Sequence, residues 1–191
     1  ANALLKFLEE PSTPLVAILT TTNIEKCLPT IVSRCVTVKV NPLLFKEVIK
    51  GNEDRFSREQ AYALSLFAPT FKEMETLSRS DDFINAFQVA ETFISDLVSS
   101  LEKAGFGLLK EGSGLLKTQK SIKYFATILI KVFSNVLSSN YSDSFSTFAI
   151  SVKPYKDSLP KTIDVLADIL NTLLANMNTT LSLARIINSL K

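Results

Sequence analysis

The sequence predicts a mainly α protein with a short α/β segment ahead of its helices. Three observations carry that expectation. Strand-length runs occur at Leu15 to Thr20 and Val36 to Val40, and strand signals nearly vanish from Asn41-Pro42 onward. Beyond that point apolar residues recur every three or four positions. Helix-start signatures, a hydroxyl followed three residues later by Gln or Glu, stand at Ser57 to Gln60 and Thr70 to Glu73.

The elements follow in order. Asn2 to Glu10 has helical spacing and Pro11 stops it, with nothing capping its start. That start predicts a fragment of a longer protein. Leu15-Val16-Ala17-Ile18-Leu19 is continuously apolar, which suits a strand covered on both faces of a parallel sheet. Thr20, Thr21, Thr22 and Asn23 end it. A short helical segment then runs to Ser33-Arg34-Cys35, and Val36 to Val40 alternates like an edge or half-covered strand. Two strands do not make a stable sheet, so partner strands are expected before Ala1.

Leu43 to Lys50 reads as a helix closed by Gly51. The box at Ser57 opens a helix through Phe67, stopped by Pro69, and the box at Thr70 opens another to about Ser78. Ser80-Asp81-Asp82 caps a longer helix, its acids at the positive end. Phe83, Phe87, Ala90, Ile94, Leu97 and Leu101 give that helix one apolar face. Gly105 to Gly114 holds four of the five glycines and reads as a turn or flexible joint. Helices are expected at Leu115 to Ser138, Ser142 to Ser151, Leu159 to Met177 and Thr180 to Leu190, with Pro154 and Pro160 marking a break.

Composition bounds the function. The 191 residues allow one or two domains. Mean hydropathy of +0.21 points to large helix-helix contacts or a buried partner surface. No apolar run approaches the roughly 18 residues of a membrane span. Net charge is +2, so any DNA contact must come from a local patch or an assembly. With no histidine, imidazole metal ligation and Ser-His or Cys-His chemistry are excluded. Cys27 and Cys35 lie eight apart, which is no zinc spacing, and no metal site is expected. No signal peptide precedes Ala1, so a reducing, cytoplasmic setting is expected.

Few residues invite chemistry. Gly107 and Gly112 have the glycine spacing of a phosphate loop, but Ser113 and Gly114 follow in place of Lys-Ser/Thr, and the segment reads as a connector. Glu9-Glu10 and Asp81-Asp82 sit at helix ends, and capping explains the second pair. Arg34 stands between a helix end and a strand. Alone it reads as a surface or cap-pairing residue. In that rigid setting its planar fork suits phosphate recognition across an interface. Thr20 to Asn23 end a parallel-type strand, where open α/β sheets bind ligands. They read equally as turn formers.

Asn2-Ala3-Leu4-Leu5-Lys6-Phe7-Leu8-Glu9-Glu10-Pro11, the threonine-ended strand, and Leu28-Pro29-Thr30-Ile31-Val32-Ser33-Arg34-Cys35 together resemble bacterial DNA polymerase III clamp-loader subunits of the AAA+ class, delta-prime subunits above all. Asn176 to Leu183 is similar to their final collar helices. The resemblance implies three parts: residues 1–41, the end of an AAA+ α/β core; 42–80, a three-helix lid; and 81–191, a helical collar joining a five-subunit ring. It makes Arg34, with Ser33 and Cys35 as motif partners, an arginine finger acting in trans on a neighbour's nucleotide. Sensor 1 maps onto Thr22, with Thr21 next. Of the sensor 2 segment only the basic residue is present, as Lys72.

The family's phosphate loop and metal-binding acidic motif would precede Ala1. ATP and magnesium are therefore expected in neighbouring subunits, with no cofactor in this chain, which is not expected to be an ATPase alone. The implied partners are gamma/tau and delta, the sliding clamp and primer-template DNA, with no membrane. The alternative within the family is the gamma/tau ATPase subunit. A reading without the resemblance is a helical adaptor in which Arg34 is structural.

Overall fold

The structure is a computed structural model and describes residues 16–21, 23–39, 55–139, 146–172 and 178–191. The chain divides into two compact units, with the division after Pro42. The expected helices at Asn2 to Glu10 and Leu43 to Lys50 lie outside the described residues, as does Thr22.

In the first unit a 3-10 turn spans Ile24–Lys26 and a four-residue helix, α1, spans Pro29–Val32. Asn23 caps the turn: its Oδ1 accepts the Glu25 N–H at 2.9 Å. Pro29 opens α1, where its fixed φ suits a helix and its missing N–H costs nothing. The two expected strands are not found. Residues 16–20 and 36–39 carry no strand pairing, and Val16, Ile18, Val36 and Val38 are 87%, 84%, 92% and 76% exposed. The physical reason is that a strand exists only through its ladder. A β-branched run states what a segment would bury beside a partner; it does not supply the partner.

The second unit is helical, as expected. Its helices are α2 (Arg58–Ser65), α3 (Phe71–Leu77), α4 (Asp81–Leu97), α5 (Leu101–Gly107), α6 (Gln119–Leu137), α7 (Ser146–Val152), α8 (Leu159–Thr172) and α9 (Thr179–Ser189). Among the described residues there is no strand, and no helix is long and apolar enough to cross a membrane.

Capping chemistry fixes the starts. Ser57 Oγ accepts the Gln60 N–H at the head of α2. Thr70 and Glu73 form the full reciprocal box on α3, and Thr118 and Ser121 do so on α6. Each cap contributes about 1 kcal/mol. Ser80 stands at the N-cap of α4 without a side-chain cap bond. Asp82 instead accepts the Thr118 hydroxyl at 2.6 Å, tying the starts of α4 and α6 together.

Helix α6 is the axis of the core. It packs on α4, α7 and α8, and buries Phe125, Ile128, Leu129, Val132, Phe133 and Val136. The face foreseen on α4 is buried at Phe83, Phe87, Ala90, Ile94 and Leu97, while Leu101 starts α5. An aromatic cluster joins α2 to this core. The Phe67 ring lies 4.8 Å from Tyr124 and 6.3 Å from Phe83, in edge-to-face geometry. Ala63, Leu64, Ala68 and Met74 belong to the same continuous core as α4 and α6.

The expected joint at Gly105 to Gly114 is helical instead. Helix α5 passes into a π-helical stretch at Leu108–Gly112 and a last turn at Ser113–Leu115. Two of the glycines serve close packing. A Cβ on Gly105 would stand 3.1 Å from Ile187 Cγ2, and one on Gly112 would stand 3.0 Å from Leu108 Cδ1 and 3.2 Å from Val89 Cγ1. The break foreseen around Pro154 is a 3-10 turn at Lys153–Ser158, and Pro160 falls in the first turn of α8, where proline is tolerated.

Candidate functional site: the Ser33-Arg34-Cys35 turn

Helix α1 ends in a tight, closed turn. The Ser33 N–H donates to the Pro29 carbonyl at 2.9 Å, Arg34 to Ile31 at 3.1 Å and Cys35 to Val32 at 3.2 Å. The change from four-residue to three-residue spacing tightens the last turn and uses up carbonyls a helix end leaves over. The backbone around Arg34 is thus held by its own hydrogen bonds.

The side chain of Arg34 is exposed, and it folds back on the helix that carries it. Its Nη1 donates to the Thr30 carbonyl at 2.9 Å and lies 3.5 Å from Ser33 Oγ, which itself donates to Thr30 at 3.2 Å. A cation at a helix C-terminus is favourable. So the cap-pairing geometry weighed for Arg34 is present, and it brings Ser33 and Arg34 together. The Thr30 contact is a charge-assisted hydrogen bond from the guanidinium.

Thr21 belongs to a separate local cluster. Its Oγ1 donates to the Asn23 carbonyl at 3.0 Å and accepts the Asn23 N–H at 3.1 Å, the pattern of a turn former. Cys27 and Cys35 are free thiols, each half-buried. Lys72 lies in the other unit, exposed in the first turn of α3. No group of residues suited to hold a metal ion occurs among the described residues.

Charge counted over the whole chain hides one cluster. Lys117, Lys120 and Lys123, at the start of α6, are all exposed. A count by segment would have found them, because residues 112–142 contain lysines and no carboxylate.

Residues 1–44 match the family model described as DNA polymerase III, delta subunit. The delta' subunit of DNA polymerase III from Bacillus subtilis (strain 168) is 40% identical over 88 residues, 44% of this chain and 26% of that protein. The chain therefore spans about a quarter of the length of the curated relative it matches. No solved structure matches it. The residues that the family model matches contain both the threonine cluster and the Arg34 turn, and this chain is similar to a delta-prime subunit over 88 residues.

Proposed function

We propose that the chain is part of a delta-prime-like subunit of a DNA polymerase III clamp loader, and that Arg34 acts in trans on ATP bound by a neighbouring subunit. The observation that carries the reading is the coincidence of the matched segment, residues 1–44, with the closed turn that presents Arg34. A rigid backbone and a planar, permanently charged fork are what stabilisation of a transferring phosphoryl group requires.

In this reading residues 1–41 end an AAA+ core with Thr22 or Thr21 at sensor 1. Residues 42–80 form the lid, with Lys72 at the sensor 2 position, and 81–191 form the collar. Ser33 and Cys35 hold the register of the turn. ATP and magnesium sit in gamma/tau neighbours. Delta, the sliding clamp and primer-template DNA complete the assembly in the cytoplasm.

The test uses the intact protein in a reconstituted loader. Arg34→Ala and Arg34→Lys should leave assembly unchanged and lower turnover at the site the finger faces by as much as ~10³-fold. Lysine should not rescue, because a point charge does not reproduce the bidentate fork. Unchanged ATPase in both variants would sink the assignment.

A further inference from the structure

We propose that Lys117, Lys120 and Lys123 form a face that grips the phosphate backbone of nucleic acid. The chain carries 21 basic and 19 acidic residues, so it has no basic surface by average. Across residues 112–142, however, Lys117, Lys120, Lys123 and Lys131 occur and no Asp or Glu does. Elsewhere in the helical unit several cations are paired, Lys103 with Asp96, Arg55 and Arg79 with Glu75, and Arg185 with Asp168. Lys153, Lys156 and Lys161 are interleaved with Asp157 and Asp164. Among the described residues, Lys117, Lys120 and Lys123 make no ion pair.

Position sharpens the point. Helix α6 buries Ile122, Phe125, Leu129, Val132 and Val136 on one side. At about 100° per residue Lys120 and Lys123 fall on the opposite side, with Lys131 further along it. Lys131 is half-buried, so the exposed cations on that side are Lys120 and Lys123, about 4.5 Å apart along the axis, with Lys117 just before the helix. These cations also occupy the positive end of a long helix, whose first turn has no acid. Stability alone favours carboxylates there, so the lysines oppose the helix dipole rather than complement it. An incoming phosphate would be attracted by both.

The nearby acids do not cancel the face. Asp81 and Asp82 share a shallow hollow with Lys117 and Thr118. Asp82 accepts the Thr118 hydroxyl and keeps its charge, so two carboxylates stand in that hollow with Lys117, while Lys120 and Lys123 are not among its lining residues. The choice of nucleic acid as the polyanion rests on the clamp-loader reading; the lysine face itself does not.

The experiment measures binding of a short labelled DNA duplex to the intact protein by fluorescence anisotropy across a salt series. Lys117→Gln/Lys120→Gln/Lys123→Gln should weaken binding at least ~10-fold at low salt and flatten the log-log salt slope by roughly 2 to 3. The control, Lys153→Gln/Lys156→Gln/Lys161→Gln, removes the same charge from exposed positions and should change affinity less than about twofold. Thermal melts of both variants establish that they are folded. No duplex binding by the unsubstituted protein, or equal loss in both variants, overturns the proposal. A loader whose ATPase ignores Arg34→Ala would sink the finger and leave a positive lysine result standing, so the two failures are distinguishable.

Discussion

The two units bury themselves in opposite ways. Among the described residues between 16 and 39 none is buried, and the hydrogen bonds named from Thr21 to Cys35 reach no further than four residues. In the helical unit one continuous core runs from Ala63 to Leu190, with Phe83, Phe93, Phe125 and Phe133 almost wholly enclosed. The family-model match covers residues 1–44, which contain the first unit, while the 88-residue match to the Bacillus subtilis delta' subunit is longer than that unit. Local hydrogen bonds hold the turn at Arg34. Cooperative stability needs apolar area removed from water, and that lies in the helices.

The sharpest way to break this comparison is to remove one large side chain from each unit. Phe133→Ala empties the centre of α6, where Phe133 is 0% exposed. It should cost about 3–5 kcal/mol, a large share of the stability of an ordinary domain. Thermal unfolding should shift by roughly 10 °C. Val36→Ala in this chain should stay within about 0.5 kcal/mol, as exposed substitutions do. Equal losses from the two would show that residues 16–39 contribute to the core after all.

A smaller effect tests the glycine segment. A flexible joint and a close-packed helix predict opposite signs for Gly→Ala. Buried Leu108 and Val89 crowd Gly112, so Gly112→Ala should destabilise by about 1–2 kcal/mol through overpacking. A Cβ on Gly114 would meet nothing within 4 Å, so Gly114→Ala should stabilise by about 0.5–1 kcal/mol through its helix propensity. Denaturant melts of the pair read the difference. Stabilisation by both would restore the joint.

These contrasts show what was legible in the residues. Periodicity and capping signals placed the helices of the second unit, because each rests on local spacing that tertiary packing then reuses. The start of α6 was set late, at Thr118 rather than Leu115, since Leu116 leaves the helical region with ψ 63° and only the Thr118 box restarts it. The strands failed because pairing is non-local. The glycines were misread because composition alone does not separate freedom from proximity: Gly105 is small on account of Ile187, far along the chain. At the site, the tight helix end before Arg34 was legible, whereas the fold-back onto Thr30 needed coordinates. The tie from Asp82 to Thr118 was invisible for the same reason.

The smallest expected effect probes how closely α2 is joined to the rest of the helical unit. The Thr147 hydroxyl on α7 donates to Glu59 Oε1 on α2 at 2.9 Å. On α4, partial burial raises the Glu91 carboxyl above its usual range, and the Glu59 carboxylate adds to this. A carboxyl with a raised pKa in the folded state holds its proton more tightly there than in the unfolded chain. Its ionisation therefore costs nothing at a pH below the unfolded value and opposes folding once pH passes through both values. Glu91→Gln should leave stability unchanged near pH 3.5 and raise it near pH 7, by only a few tenths of a kcal/mol because the group is largely solvent-exposed. Chemical denaturation at the two pH values reads this. In a Glu59→Gln background the gain should shrink without vanishing, since burial is the larger cause and the pair is coupled. A gain of equal size at both pH values would mean that Glu91 acts through packing and not through charge. The link between the end of α2 and α4 would then be apolar, carried by Phe67, just beyond α2, against Phe83.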